Sequence, residues 1–392
     1  MGDKKTVVSL FTGLGGLDLG FEKEGFKILF ANENDLTIAE SYKANHPHTK
    51  VDTRSVTKVS VEEIISQIRV KPAVVIGGPP CQPFSTAGKR KGLNDPRGSL
   101  FMDFVRIVDG VDPEFFLMEN VKGILSSRLK HVAYGTERKR RLTVQEERGS
   151  VFHEILNIWK EKGYYVDYLL LDSAHYGVPQ KRERVFIMGS RIRRGFDLRD
   201  WLPDHRGFVR ATEERFEYKN TTLRDAISDL QNKVKEFVRF SKKTIDVMRL
   251  VPEGGSWRDL PVEIQKEVMG NGYHSEGGRT GYFRRLAWDR PAPTMLTSPV
   301  QKSTLLCHPV ETRPLSVEEY KRLQQFPDDY IVLGTLAQKY KMIGNAVPVG
   351  LARIVAQAII RLLERYPYQK VDSKKTSESS QTALFGELIR HE

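Results

Sequence analysis

Cysteine is nearly missing from this chain. Its 392 residues hold two, Cys81 and Cys307. Two are too few for a disulfide framework, and they fit a reducing compartment. No Cys/His cluster has zinc spacing, so a zinc site is excluded. No run approaches the roughly 18 apolar residues of a membrane span, and no membrane partner is expected. The short apolar stretch Val7–Leu10 is broken by Gly13, Gly15, Gly16 and Asp18, which argues against a secretion signal. Internal repeats are absent. Acidic residues are outnumbered, 50 against 62 Lys+Arg, leaving a net charge of +12. That excess suits a polyanionic partner. With 39% hydrophobic and 29% charged residues, the chain is globular, long enough for one large domain and a smaller one.

What is present centres on residues 72–85, PAVVIGGPPCQPFS. Ala73-Val74-Val75-Ile76 is a short β-branched run closed by Gly77-Gly78-Pro79-Pro80, the pattern of a buried strand feeding a shaped loop. Two prolines stiffen that loop ahead of Cys81. The carboxyl end of a strand is where an open α/β sheet places its chemistry. A cysteine between Pro-Pro and Gln-Pro reads as a reactive thiol rather than as a buried small hydrophobe.

Residues 6–20, TVVSLFTGLGGLDLG, read as strand, glycine-rich turn and helix start, with Glu33 twenty residues past Gly13. That spacing puts a carboxylate at the end of the second strand, where it can hold ribose hydroxyls. Asp18 stands where a dinucleotide fingerprint has its third glycine. A carboxylate there repels a pyrophosphate, so a cationic or phosphate-free nucleoside fits better. Asp52, ending a third strand, either accepts from an adenine amino group or caps the following segment. Phe115–Met118 is a further buried strand delivering Glu119 and Asn120 to the rim that carries Cys81. Between strands at 165–171 and 185–188, the alternation Gln180, Arg182, Arg184 sends three side chains to one face. Their guanidinium groups suit anion or carbonyl contacts.

Residues 122–148 carry eight Lys/Arg against three Glu, either tracking nucleic-acid phosphates or forming a solvated surface excursion. From about 191 the βα alternation is lost, and turns and aromatics (Trp201, Trp257, Tyr273, Tyr282, Phe283, Trp288) take over. Ser316 and Glu319 form a capping-box pattern ahead of a helix. The expected organisation is a catalytic and cofactor domain at 1–190, a small target-recognition domain at 191–339, a C-terminal helix at 340–366 returning to the first domain, and a polar, disordered tail at 367–392.

These motifs closely resemble the cytosine-C5 DNA methyltransferase family. FTGLGGLDLG is similar to its first motif and Glu33 to the acidic residue of its second. GGPPCQPFS resembles the fourth, DPRGSLF the fifth, ENV the sixth, QKRER the eighth, RPLSVEEYKRLQQFP the ninth and GNAVPVGLA the tenth, all in family order. Asn34 stands where some relatives have an aromatic under the adenine. The resemblance implies an α/β, Rossmann-like methyltransferase sheet with a smaller irregular domain, and S-adenosylmethionine as cofactor. It places Phe11, Gly13, Gly15, Gly16, Glu33, Asp52, Pro79, Leu100, Asn345 and Val347 around that cofactor. Cys81 would be the nucleophile toward cytosine carbon 6, Glu119 the group on N3, and Arg184 the anchor of O2, with Arg182 beside them in the catalytic set. Gln82, Ser85, Asn120 and Thr294 would touch the base or DNA. No metal is implied. The partner would be double-stranded DNA bound by a monomer in a prokaryotic cytosol, with a restriction endonuclease acting on the same site. A tRNA methyltransferase of the same fold is the rival, but its Cys-Phe-Thr tripeptide is absent.

Overall fold

The computed structural model describes residues 5–80, 98–130, 141–204, 207–217, 220–234, 236–273, 282–301 and 305–366. Seven strands form one sheet: β1 (Thr6–Leu10), β2 (Lys27–Asn32), β3 (Lys50–Asp52), β4 (Val74–Gly77), β5 (Phe115–Val121), β6 (Tyr165–Asp172) and β7 (Glu183–Ser190), in the order β3-β2-β1-β4-β5-β7-β6. β1 to β5 run parallel, and β7 lies antiparallel to both β5 and β6. The strands are apolar on both sides because helices cover both faces. Val7, Val74, Ile76, Phe115 and Leu117 point into one core, and Val8, Val75, Phe116 and Met118 into the other.

Helices α1 (Gly16–Lys23), α2 (Leu36–Asn45), α3 (Val61–Ile68), α4 (Gly98–Val111) and α5 (Ser150–Glu161) alternate with the strands. Their starts follow the side chains: Asp35 caps α2, and Ser60 with Glu63 forms a complete capping box on α3. α6 (Leu198–Trp201) follows the sheet, and α7 (Leu223–Ile227), α8 (Lys242–Leu250), α9 (Val262–Met269) and α10 (Val317–Leu323) build the smaller, irregular part. The Ser316–Glu319 capping box is present, and the buried Glu319 also takes both Arg313 terminal nitrogens at 2.8 and 2.9 Å.

α11 (Leu336–Asn345) and α12 (Val349–Arg365) close the fold. α12 packs on α1 so tightly that a Cβ at Gly20 would sit 2.3 Å from Ala352 Cβ. By length and composition Leu336–Arg365 would pass for a membrane-crossing helix. It is instead two helices joined through Pro348, and most of it is buried inside this fold.

Phe196, Leu198, Trp201 and Leu202 lie in the sheet's core. Trp288 and Trp257 lie in two further apolar clusters.

Candidate active site

A cavity of about 530 Å³ opens at the carboxyl ends of the parallel strands, over the β1–β4 boundary where the strand order reverses. That is the switch point at which doubly wound sheets bind ligands, and the volume lies within the roughly 300–1,000 Å³ of ligand pockets.

One end is built by the turn after β1. Phe11, at the cavity wall, holds φ at 56°, a left-handed conformation strained for an aromatic residue. Gly15 holds φ at 86°, and a Cβ there would lie 2.7 Å from His46 Nε2 and 2.9 Å from Tyr330 Oη. At Gly16 a Cβ would be 2.3 Å from Val347 O. Only glycine fits either position. Glu33 secures the turn from β2, accepting from Gly13 N at 3.1 Å and Asp35 N at 2.9 Å. Burial raises its carboxyl above the ordinary range, and the two amides oppose that rise.

Asp18 also lines the cavity, but its carboxylate is committed. It accepts from Ser9 Oγ at 2.7 Å and Tyr42 Oη at 2.6 Å. Burial pushes its pKa up to about 6 from 3.8, against the pull of His46, Tyr42 and Ser9. The folded state therefore favours the protonated acid. Its contribution to stability is present below pH 3.8 and is lost as pH rises through about 6. Asp18→Asn is expected to remove that dependence, so its stability relative to the parent should climb by up to roughly 3 kcal/mol between pH 4 and 7. Urea unfolding at a series of pH values checks this; parallel curves would acquit Asp18.

At the other end, β5 and β7 bring Glu119 and Arg184 together. Antiparallel pairing sets Arg184 opposite Val121, two residues from Glu119. Arg184 Nε then lies 2.8 Å from Glu119 Oε1, and its Nη1 donates to Glu183 O at 2.8 Å. Burial raises the Glu119 carboxyl; Arg184 and then Arg182 pull it back. A Cβ at Gly78 would stand 2.9 Å from Glu119 Oε2, so the β4 turn leaves room for that carboxylate. Asn120 donates from Nδ2 to Pro79 O at 3.1 Å and accepts from Val121 N at 2.9 Å. It lines the cavity and fixes the segment leading to Cys81. Cys81, Gln82 and Ser85 themselves lie outside the described residues; Pro79 and Pro80, just before them, stand in the cavity wall.

The structure thus gathers Phe11, Gly13, Gly16, Glu33, Pro79, Glu119, Asn120, Arg184, Asn345 and Val347 around one cavity. Other expected site residues lie elsewhere. Asp52 does not line it: both oxygens are taken by Arg54 Nε and Nη2 at 2.6–3.2 Å. Leu100 packs on the apolar core of α4. Gly15 supports the turn from beneath. Thr294 donates to Lys181 O at 2.7 Å.

Arg182, placed in the catalytic set by resemblance, is fully buried and not in the cavity wall. The expected alternation holds, since Gln180, Arg182 and Arg184 are buried while Lys181 and Glu183 are exposed. Yet the Arg182 guanidinium donates to Met295 O at 3.0 Å and Gly344 O at 2.7 Å, and Gln180 bonds Leu323 O and Met295 N. These two side chains staple the smaller part and α11 to the sheet. Arg182→Met leaves two buried carbonyls unpartnered and is expected to cost about 3–5 kcal/mol. Thermal unfolding measures it, and a loss under about 1 kcal/mol would contradict the staple.

Sequence reasoning did not single out His46, Tyr330 or Lys341. His46 stacks on Tyr42 with ring centroids 4.1 Å apart and meets Tyr330 Oη at 3.0 Å, and Tyr330 donates to Leu14 O at 2.6 Å. Lys341 shares the exposed face of α11 with Asn345 and lines the cavity beside it. The four-residue spacing before Asn345 was the available signal.

Strand order, the single reversed strand and the strand-end cavity define a Rossmann-like methyltransferase fold. The chain belongs to the C-5 cytosine-specific DNA methylase family, whose model matches residues 5–361, and is a DNA (cytosine-5-)-methyltransferase. It is 37% identical over 373 residues to the type II methyltransferase M.Eco47II of Escherichia coli, covering 92% of this chain and 80% of that one. M.Sau96I of Staphylococcus aureus is 36% identical, covering 92% and 76%. Among solved structures, an E. coli putative DNA modification methyltransferase encoded within a prophage superposes with TM-score 0.62 at 22% identity, covering 92% and 99%. S. pombe Dnmt2 methyltransferase superposes with TM-score 0.56 at 16% identity, covering 92% and 98%.

Proposed function

We propose that this enzyme methylates carbon 5 of a flipped-out cytosine in a specific double-stranded DNA sequence, using S-adenosylmethionine and a covalent adduct on Cys81. The observation that carries this reading is the buried Glu119–Arg184 pair sharing one cavity with the Glu33-held glycine turn. The residues present fit the cofactor. Asp18 and Glu33 offer an acidic wall that suits a sulfonium and an ammonium and opposes a pyrophosphate. At Gly13 the position of a Cβ has nothing within 4 Å, leaving the backbone open to a ligand. Glu33 would hold the ribose. When bound, the cofactor supplies an electrophilic methyl group.

The chain's own residues supply the rest. Carbon 5 of cytosine is a poor nucleophile. The Cys81 thiolate adds to carbon 6, making the ring an enamine whose carbon 5 takes the methyl group. Glu119 hydrogen-bonds or protonates N3 and draws electrons from carbon 6, a role served by its raised pKa. Arg184 holds O2 and orients Glu119. Loss of the carbon-5 proton and elimination of Cys81 restore aromaticity and the free thiol. A base stacked in a duplex cannot enter the cavity, so it must be extruded. The cleft lined by Lys181, Arg284 and Arg290 gives the flanking DNA a cationic bed. Its relatives' type II naming supports a modification role in restriction–modification or phage defence, with the protein acting as a monomer in a prokaryotic cytosol.

The test is incubation with labelled S-adenosylmethionine and mixed-sequence duplex, followed by base-resolution mapping. Methyl at carbon 5 in one sequence context is expected. Transfer to tRNA instead, or tight DNA binding without transfer to either, would overturn the reading.

A further inference from the structure

We propose that Lys341 recognises the α-carboxylate of the methionyl tail of S-adenosylmethionine. The inference rests on the cofactor reading of the same cavity.

The charge inventory of the wall motivates it. Among the described residues, three acids line the cavity, Asp18, Glu33 and Glu119, against two cations, Arg184 and Lys341. Arg184 is committed to Glu119 and to Glu183 O. Asp18 is held by Ser9 and Tyr42, and Glu33 by two backbone amides. Lys341 makes no ion pair or hydrogen bond among the described residues. A methionyl tail carries one ammonium and one carboxylate beside the sulfonium. The acids answer the two cationic centres. The carboxylate, set against an acidic wall, needs a cation, and among the described lining residues Lys341 is the one not already engaged.

Its placement is fixed by the fold. The inner face of α11 is anchored, with Tyr340 Oη donating to Leu315 O at 2.7 Å and Gly344 pressed so close that a Cβ would lie 2.4 Å from Leu296 O. Lys341 and Asn345, one turn apart, are therefore held on the exposed cavity side. α1 begins alongside: Gly16, whose Cβ would touch Val347 O, opens a helix with no side-chain cap, so its first amides add a second preference for an anion there. Asn34, before α2, and Ile38, on it, complete this corner, and neither carries a charge. An exposed lysine on a helix also serves solvation alone, and the experiment separates the two roles.

Binding of S-adenosylmethionine and of its decarboxylated analogue is measured by calorimetry on the full-length protein, for the parent, Lys341→Gln and Lys341→Arg. The expected result is a Kd for S-adenosylmethionine raised about 5-fold in Lys341→Gln, with the arginine variant near the parent. The analogue, lacking the carboxylate, should bind Lys341→Gln as well as or better than the parent. Equal weakening of both ligands, or of neither, would overturn the assignment. A parent protein that binds neither ligand would instead overturn the cofactor reading, and the inference with it.

Discussion

Cys81→Ser is expected to lower methyl transfer by roughly 10⁴-fold or more while leaving cofactor and DNA binding intact. The attack on carbon 6 needs an anionic, polarisable nucleophile at neutral pH. A thiol ionises within reach of neutral pH, whereas a serine hydroxyl does not. The described chain ends its approach at the cavity: β4 ends at Gly77, and Pro79 and Pro80 stand in the cavity wall with Pro79 O held by Asn120. The direct measurement is trapping. A duplex bearing 5-fluorocytosine cannot release its carbon-5 substituent as a proton, so the parent enzyme should accumulate a covalent complex visible by intact mass. Cys81→Ser should give none. A complex of equal yield in the serine variant would remove Cys81 from the mechanism.

The second large effect belongs to Glu119. Glu119→Gln is expected to reduce kcat by about 10²–10⁴-fold, the usual worth of a positioned acid. The change should fall on kcat rather than on the Kd for cofactor, since Glu119 stands at the end of the cavity away from the Glu33-held turn. It should also reshape the pH profile. Burial raises the Glu119 carboxyl while Arg184 and Arg182 oppose it, so the parent loses its proton donor as pH climbs past that raised value. The glutamine amide donates without titrating. The alkaline fall should flatten in the variant, while the acidic limb, set by the thiol, persists. An unchanged profile in single-turnover assays would mean that Glu119 only positions Arg184.

Much of this site was legible because its determinants are local. A strand, a glycine turn and a carboxylate twenty residues on fix where Glu33 meets Gly13, and alternation alone aimed Gln180, Arg182 and Arg184 to one side. Alternation does not say what waits on that side. Arg182 met two carbonyls 113 and 162 residues away and became a staple rather than a member of the cavity. Asp52 is engaged by a nearer partner, because Arg54 two residues on reaches both its oxygens. The Tyr330–Leu14 bond spans 316 residues, and no spacing in the sequence announces it. Trp201 was read with the irregular part by its place in the chain, yet its apolar neighbours carry it onto the sheet.

The seating of α12 on α1 has a consequence for how the molecule is made. Translation finishes β7 at Ser190, but the wall from Lys341 to Val347 and the partner for Gly20 come some 150 residues afterwards. At about 5–20 residues per second, the nascent sheet waits roughly 8–30 s with the apolar side of its first helix uncovered. Through that interval the ribosome carries a chain whose strand-end cavity lacks one wall, so methylation is expected to begin only once α12 has left the exit tunnel.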